Sequence, residues 1–282
     1  MKPAMSYSSK TYTRFLFSTI FFITVSCHGP EKLDLTNIEN EVITFYDDPV
    51  DEINFPSINI NTNGQEIVDD PKVNAGLVVV EDKIETNYNI GIEIRGSSSQ
   101  MFPKKSYGFE TKTSDFSDDL DVNLGGFPEE EDWILYGPYY DITMIRNGVT
   151  YEIAKSMGQY SPRFRYCELF INDEYQGIYL LTEKIKRDNN RVNISKNINN
   201  DISGGFIIEI NHPVSENKNI NEYWNSSYND FNNEIIPFRY YYPDANSITE
   251  SQKIYIQNFI YEFETILSGS MFNNPFTGFK NW

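Results

Sequence analysis

The cleanest alternation of apolar and polar residues runs from Tyr88 to Arg95. Tyr88, Ile90, Ile92 and Ile94 fall on one side, and Asn89, Gly91, Glu93 and Arg95 on the other. A period of two is the pattern of a half-buried strand. Shorter runs predict further strands over 57–61, 77–81, 104–111 and 206–210, with Lys105, Tyr107 and Phe109 sharing one face of 104–111. The runs 165–171 and 175–182, joined at Asn172-Asp173, predict a hairpin. The period lengthens twice. Ile145, Val149 and Ile153 recur every four residues and predict a helix over 142–157, capped by Asp141 and stopped at Gly158. Ile256, Phe259, Ile260, Phe263 and Leu267 form the stripe of a last helix, with Thr249 and Gln252 in a capping-box spacing and Gly269 as its stop. Residues 183–203 and 211–234 are polar and read as loops. Strands, a helix, a hairpin, a strand and a helix in that order predict an α+β fold with antiparallel sheet and segregated helices.

The start of the chain breaks this pattern. Lys2, Lys10 and Arg14 precede an apolar run from Phe15 to Val25, and Ser26-Cys27 follows. A basic start, a short apolar stretch and a small residue before the cut form a secretion signal over 1–27. Thr24-Val25-Ser26-Cys27 is similar to a bacterial lipoprotein cleavage box, which makes Cys27 the lipidation site and the protein an exported, membrane-anchored one. Residues 28–50, rich in acids and proline, read as an acidic linker.

Composition narrows the functions. With 23 basic and 41 acidic side chains the chain carries a formal charge of −18, which repels phosphate backbones and argues against nucleic acid as a partner. Aromatic residues at 15% argue against a disordered chain. Two cysteines make no disulfide scaffold, and two histidines make no His-rich metal site. Asp115, Asp118, Asp119 and Asp121 lack the spacing of a calcium loop and read as a solvated acidic loop, so no metal ligand is assigned.

The chemistry concentrates after Ile94. Arg95-Gly96-Ser97-Ser98-Ser99-Gln100 is a small, hydroxyl-rich loop between two strands, followed by Lys104 and Lys105. Such a loop lets backbone N–H groups approach an anion without side-chain crowding. Lys105, on the apolar face with Tyr107 and Phe109, needs an anionic partner if buried.

Arg-Gly-x-Ser-Ser followed by Pro-Lys-Lys-Ser-Tyr resembles the CotH kinase family. Three later blocks resemble it in the same order: Tyr140 to Asn147, Glu168 to Glu183, and Gly204 to Ile210. The resemblance covers about 90–270. It implies an atypical kinase-like N-terminal lobe over 51–185, an antiparallel sheet plus helix, followed by the start of a helical lobe over 186–282. It implies transfer of phosphate from ATP, with Mg²⁺, to Ser or Thr of a surface or coat protein. Arg95, Gly96, Ser97, Ser98, Ser99, Lys104, Lys105, Arg146 and Glu183 would then meet the nucleotide, Lys105 being the favoured phosphate contact and Glu183 lying where the chain passes the adenine. Glu152 or Glu168 would partner the lysine; Arg187 and Arg191 read as members of a solvated loop. The family's catalytic Asp and metal-holding carboxylates belong to segments that follow the long helix, and neither element follows it here. The expectation is therefore an incomplete helical lobe that binds nucleotide weakly and turns nothing over. Two other readings carry no catalysis: a surface adhesin or interaction module, and a carbohydrate-binding protein stacking sugars on Trp133, Trp224, Tyr139-Tyr140 or Tyr240–Tyr242.

Overall fold

A computed structural model describes residues 54–198, 202–210, 220–230 and 232–269. The signal segment, Cys27 and the acidic linker lie outside the described residues. Seven strands form a closed barrel: β1 (Ser57–Asn61), β2 (Val73–Glu81), β3 (Ile84–Arg95), β4 (Ser106–Lys112), β5 (Asp132–Tyr136), β6 (Phe164–Ile171) and β7 (Glu174–Glu183). Their order around the wall is β1-β2-β3-β4-β5-β7-β6. Every pair is antiparallel except β1 with β6, whose parallel ladder from Ser57↔Glu168 to Ile60↔Ile171 closes the ring. Closure removes both sheet edges. Three further strands, β8 (Ile207–Ile210), β9 (Tyr223–Asn229) and β10 (Ile235–Tyr242), form a separate sheet in the order β8-β10-β9. The described helices are α1 (Arg146–Ser156) and α2 (Glu250–Ser268).

This architecture overturns the expected kinase-like lobe of sheet and helix leading into a helical lobe. The barrel is a complete β structure, and the region after residue 186 contributes three strands and one helix among its described residues. Two physical features caused the difference. Closure depends on β1 pairing with β6 across more than a hundred residues, a non-local contact that local periodicity does not carry. And β5, β9 and most of β10 lie in stretches whose Trp, Tyr, Ser and Asn blur the apolar–polar alternation.

Alternation places the core. Ile58 and Ile60 of β1, Leu77 and Val79 of β2, Ile90 and Ile92 of β3, Tyr107 and Phe109 of β4, Trp133 and Leu135 of β5, Cys167 and Leu169 of β6, and Tyr179 and Leu181 of β7 fill the barrel. A filled interior is what a barrel of this strand number holds. Tyr240, Ile248 and Ile256 make a second, smaller core with Phe206, Ile208 and Trp224.

Helix ends follow the sequence more closely than helix faces do. The Thr249 hydroxyl accepts from the Gln252 amide at 3.4 Å, and the Gln252 side-chain oxygen accepts from the Thr249 amide at 2.9 Å, the expected capping box. At α1 the expectation needs correcting: the helix begins at Arg146, later than expected, its N-cap position is Ile145 with no side-chain cap, and Asp141 instead orders the turn before it by accepting from the amides of Thr143 (3.1 Å) and Arg146 (2.8 Å). The α1 stripe, however, is only partly covered: Ile145, Val149 and Ile153 are each about half exposed, while Gly148 on its flank is buried against Phe164 and Tyr166. A Cβ at Gly148 would come within 3.0 Å of the Phe164 ring and of the Tyr166 hydroxyl, so the helix makes its closest approach to β6 at its glycine.

Candidate nucleotide cavity

A cavity of about 360 Å³ lies against the outer wall of the barrel. Because Trp133 and Leu135 point inward, their neighbours Ile134 and Tyr136 point out and line it. The same parity turns Thr182 and Lys184 outward beside inward-facing Leu181 and Glu183. Arg95 closes one side from the end of β3, Asn147 and Tyr151 come from α1, and Ile207, Ile208, Glu209 and Tyr241 come from the β8–β10 sheet. The walls are mostly aliphatic and aromatic with a few charged groups, and the volume falls in the small-ligand range.

Two cations line the cavity. The Lys184 ammonium is bonded to Asp132 at 2.8 Å. Burial works to raise the Asp132 carboxyl, but Lys184 and Lys186 outweigh it and hold its pKa below the usual range. Arg95 is exposed and forms no ion pair with a described residue. Burial raises the pKa of Tyr136 and of Tyr241 and keeps both phenols neutral.

Glu183 also lines this cavity, at an inward position of its strand. The side chain is 1% exposed, in register with Trp133. It accepts from the Arg163 amide at 2.9 Å, from Arg163 Nε at 2.6 Å, and from Arg191 Nη1. Arg191 is itself buried, with its guanidinium 4.7 Å from the Trp133 ring centre. The loop reading for Arg191 is thereby corrected: its charge is spent on a buried carboxylate. Arg187 lies 5.5 Å from the ring centre of Tyr242. Tyr160, beside this cluster, is pushed up to about 12 by burial and then by the Glu183 charge.

The structure brings Arg95 and Glu183 to one cavity and leaves the remaining sequence candidates elsewhere. Lys105 is on the inner face of the barrel wall, as its parity with Tyr107 requires. It lines a different cavity at the barrel end with Ile94, Tyr107 and Ile171, and donates to the Gln100 carbonyl at 2.5 Å. Arg95 pairs with Ser106 in the ladder and faces outward, so the barrel wall separates Arg95 from Lys105. Lys104 donates to the Ile178 carbonyl at 2.6 Å and lies 4.6 Å from the Tyr179 ring centre; burial lowers its pKa. Gly96 adopts φ +109°, and residues Ser98–Met101 fold into a short 3₁₀ turn in which the Gln100 and Phe102 amides bond Ser97 and Ser99 carbonyls. Gly96, Ser97 and Ser99 do not line the cavity, and the Ser98 side chain lies outside the described residues. Arg146 is exposed at the start of α1, 3.5 Å from Asp141. Glu168 accepts from the Tyr175 hydroxyl and Glu152 is exposed, so neither partners Lys104 or Lys105.

The matching family model, described as CotH kinase protein, covers residues 92–275, from inside β3 to beyond α2. The chain belongs to the CotH kinase family. No curated protein matches it. In this CotH family chain the matched span contains every described residue that lines the cavity, and β1 and β2 precede it.

Sequence reasoning missed Lys184 and the pairing of Glu183 with Arg163 and Arg191, and named Tyr241 only as part of a sugar-stacking run. A signal for the last was present: Tyr179, Leu181 and Glu183 continue one alternation, so the acid had to enter the barrel and required buried cations.

Among the described residues of this CotH family member, acidic side chains do not assemble a metal site at the cavity. Glu183 is clamped by two arginines, and Glu209 is paired with Arg239 at 3.2 Å. A second group, Asp121, Glu130 and Glu131, has carboxylate oxygens within 4.8 Å of one another. Its seat is taken by the Lys186 ammonium, 2.6 Å from both glutamates. Of the acidic loop, Asp119 is paired with Lys112, and Asp115 accepts from Thr113 and Ser117.

Proposed function

We propose that this CotH family protein binds a purine nucleotide in the cavity on the outer barrel wall, as part of phosphoryl transfer to Ser or Thr of a protein. The carrying observation is the combination of apolar walls with a cation, Arg95, that has no carboxylate partner among the described residues. A planar base suits a cavity lined by Ile134, Ile185, Ile207, Ile208 and Tyr241. The strand β7 ends at Glu183, so the backbone of Lys184 and Ile185 runs past the cavity outside the ladder and can offer N–H and C=O groups to a base. Arg95 supplies a guanidinium for phosphate oxygens. ATP brings the transferable phosphoryl group. A divalent cation would take its ligands from the nucleotide and from carboxylates other than those lining the cavity. The same reading extends to an exported protein anchored through Cys27 and acting on surface proteins.

Isothermal titration of the full chain with ATP and with ADP tests the binding step. Saturable heat with either nucleotide is the expected result, and none from folded protein refutes the reading. Mass spectrometry of Cys27 in a host with lipoprotein processing tests the anchor.

A non-catalytic contact module is the second reading. It is favoured by an aromatic cluster with exposed Tyr139 and Tyr140, in which Phe102 stacks on Tyr139 at 5.1 Å and meets the edge of Tyr140 at 4.5 Å. Capture of a surface protein by a chain that binds no nucleotide would select it.

A further inference from the structure

The cluster at the end of β7 is expensive as a source of stability. Arg191 and Glu183 are both fully buried. Arg191 donates to Glu183 through Nη1, but its Nε and Nη2 have no hydrogen-bond partner, and Nη2 stays 3.8 Å from Glu130. Buried ion pairs recover little more than their desolvation cost, and unpaired buried N–H groups add to that cost. What such a cluster does supply is direction. A carboxylate that accepts from two guanidinium groups and a backbone amide has one geometry, whereas apolar side chains in the same space tolerate several.

That geometry is connected to the cavity on both sides. Arg163 follows Pro162, which lines the cavity, and its carbonyl accepts from the Glu183 amide (3.2 Å) and the Thr182 hydroxyl (3.1 Å). Thr182, Lys184 and Ile185 line the same cavity from either side of Glu183. Arg191 returns from beyond the connector, where its amide bonds the Asp188 carbonyl, and lies over Trp133, the cross-strand neighbour of Glu183. One buried carboxylate thus joins three chain segments, two of which form the cavity wall.

We propose that Arg191 is a positioning residue: acting through Glu183, it fixes the Pro162 and Thr182–Ile185 walls in the shape that receives the nucleotide, while touching no ligand itself. This rests on the nucleotide reading above. Glu183, taken from sequence as a nucleotide contact, serves here as the peg between wall and barrel.

The test uses the full chain carrying Arg191→Met with Glu183→Leu, which removes both buried charges at similar volume. Its melting temperature is expected within about 4 °C of the parent, or above it, because the pair contributes little net stability. Its Kd for ADP by titration calorimetry is expected to rise about tenfold or more, and amide exchange at Lys184 and Ile185 to quicken. Arg191→Lys, which keeps a cation beside Glu183, restores part of the affinity. Arg165→Met with Glu81→Gln breaks a different barrel ion pair and leaves the Kd unchanged. Unchanged Kd and unchanged exchange in the Arg191–Glu183 variant overturn the proposal. If the parent binds no ADP, the nucleotide reading fails, and the exchange rates alone decide whether Arg191 sets the wall. If the double variant does not fold, Arg191→Lys against the parent carries the same comparison.

Discussion

Replacing Arg95 and Lys105 separately by Ala distinguishes a phosphate contact from a structural ammonium. The two are ten residues apart and on opposite faces of the barrel wall. Arg95 makes no ion pair with a described residue, and its stem runs over Gly108, whose hypothetical Cβ would be 3.8 Å away. Removing it takes little from the fold, within about 0.5 kcal/mol for an exposed residue. From a bound nucleotide it removes a charge-assisted hydrogen bond, about 1.5–3 kcal/mol when desolvated. Arg95 is exposed, so the lower end applies, which corresponds to about a tenfold rise in Kd. Lys105 is half-buried and donates to the Gln100 carbonyl at 2.5 Å, pinning the turn that follows Gly96. Its loss costs about 1–2 kcal/mol of stability and, from the inner face, moves the ADP Kd by less than about threefold, a shift under 1 kcal/mol. Calorimetric titration at two ionic strengths gives both numbers, and the Arg95 contribution shrinks at high salt because it is made at the surface. A Lys105→Ala chain that is stable yet blind to ADP, beside an Arg95→Ala chain that binds normally, would refute the assignment of the ligand to the outer wall.

Three further outcomes follow from the geometry. Burial pushes the Cys167 thiol from 9.0 up to about 12, and raises Tyr107 and Tyr179 as well. The unfolded chain therefore loses these protons first, so stability is complete below about pH 9 and declines as pH rises toward 12; Cys167→Ala should flatten part of that slope in urea titrations, and peptide mapping should find Cys167 unalkylated at pH 8 until the chain is unfolded. Gly96→Ala forces an L side chain to φ +109° and costs about 1–3 kcal/mol in thermal unfolding. Adding Ser99→Ala, which clears the nearby hydroxyl, should not recover it, because the backbone angle sets the cost. Changing Ile145, Val149 and Ile153 of α1 to Gln should each alter stability by no more than about 0.5 kcal/mol, since all three are about half exposed; losses of several kcal/mol would mean that this face is covered.

Strand identity was legible where alternation was strict, as at Tyr88–Arg95, and the hairpin turn was legible because Asn172 and Asp173 both take positive φ. Closure was not, because the parallel pairing of Ser57–Ile60 with Glu168–Ile171 is fixed by the whole ring and by no local pattern. The helices show the same divide. A capping box is a contact between residues three apart, and Thr249 and Gln252 announced it. The α1 stripe was a valid helical period, but which face a helix buries is decided by its neighbour, and here Gly148 permits the close approach to Phe164 and Tyr166.

The site divides along the parity of the strands. Lys105, Trp133 and Glu183 are inward positions, and Arg95, Ile134, Tyr136, Thr182 and Lys184 are outward ones. A sequence reader who tracks polar residues alone gathers Arg95 and Lys105 into one anion site, because they are close along the chain. Tracking parity separates them: in a closed barrel, inner and outer side chains of the same wall cannot grip one ligand. The inner set then has to satisfy its own charge, which Glu183 does with Arg163 and Arg191, and only the outer set remains to recognise anything that arrives from solvent. On that logic the proposed nucleotide would meet the cation at the end of β3, and the proposed role of the acid at the end of β7 is to shape the cavity from behind.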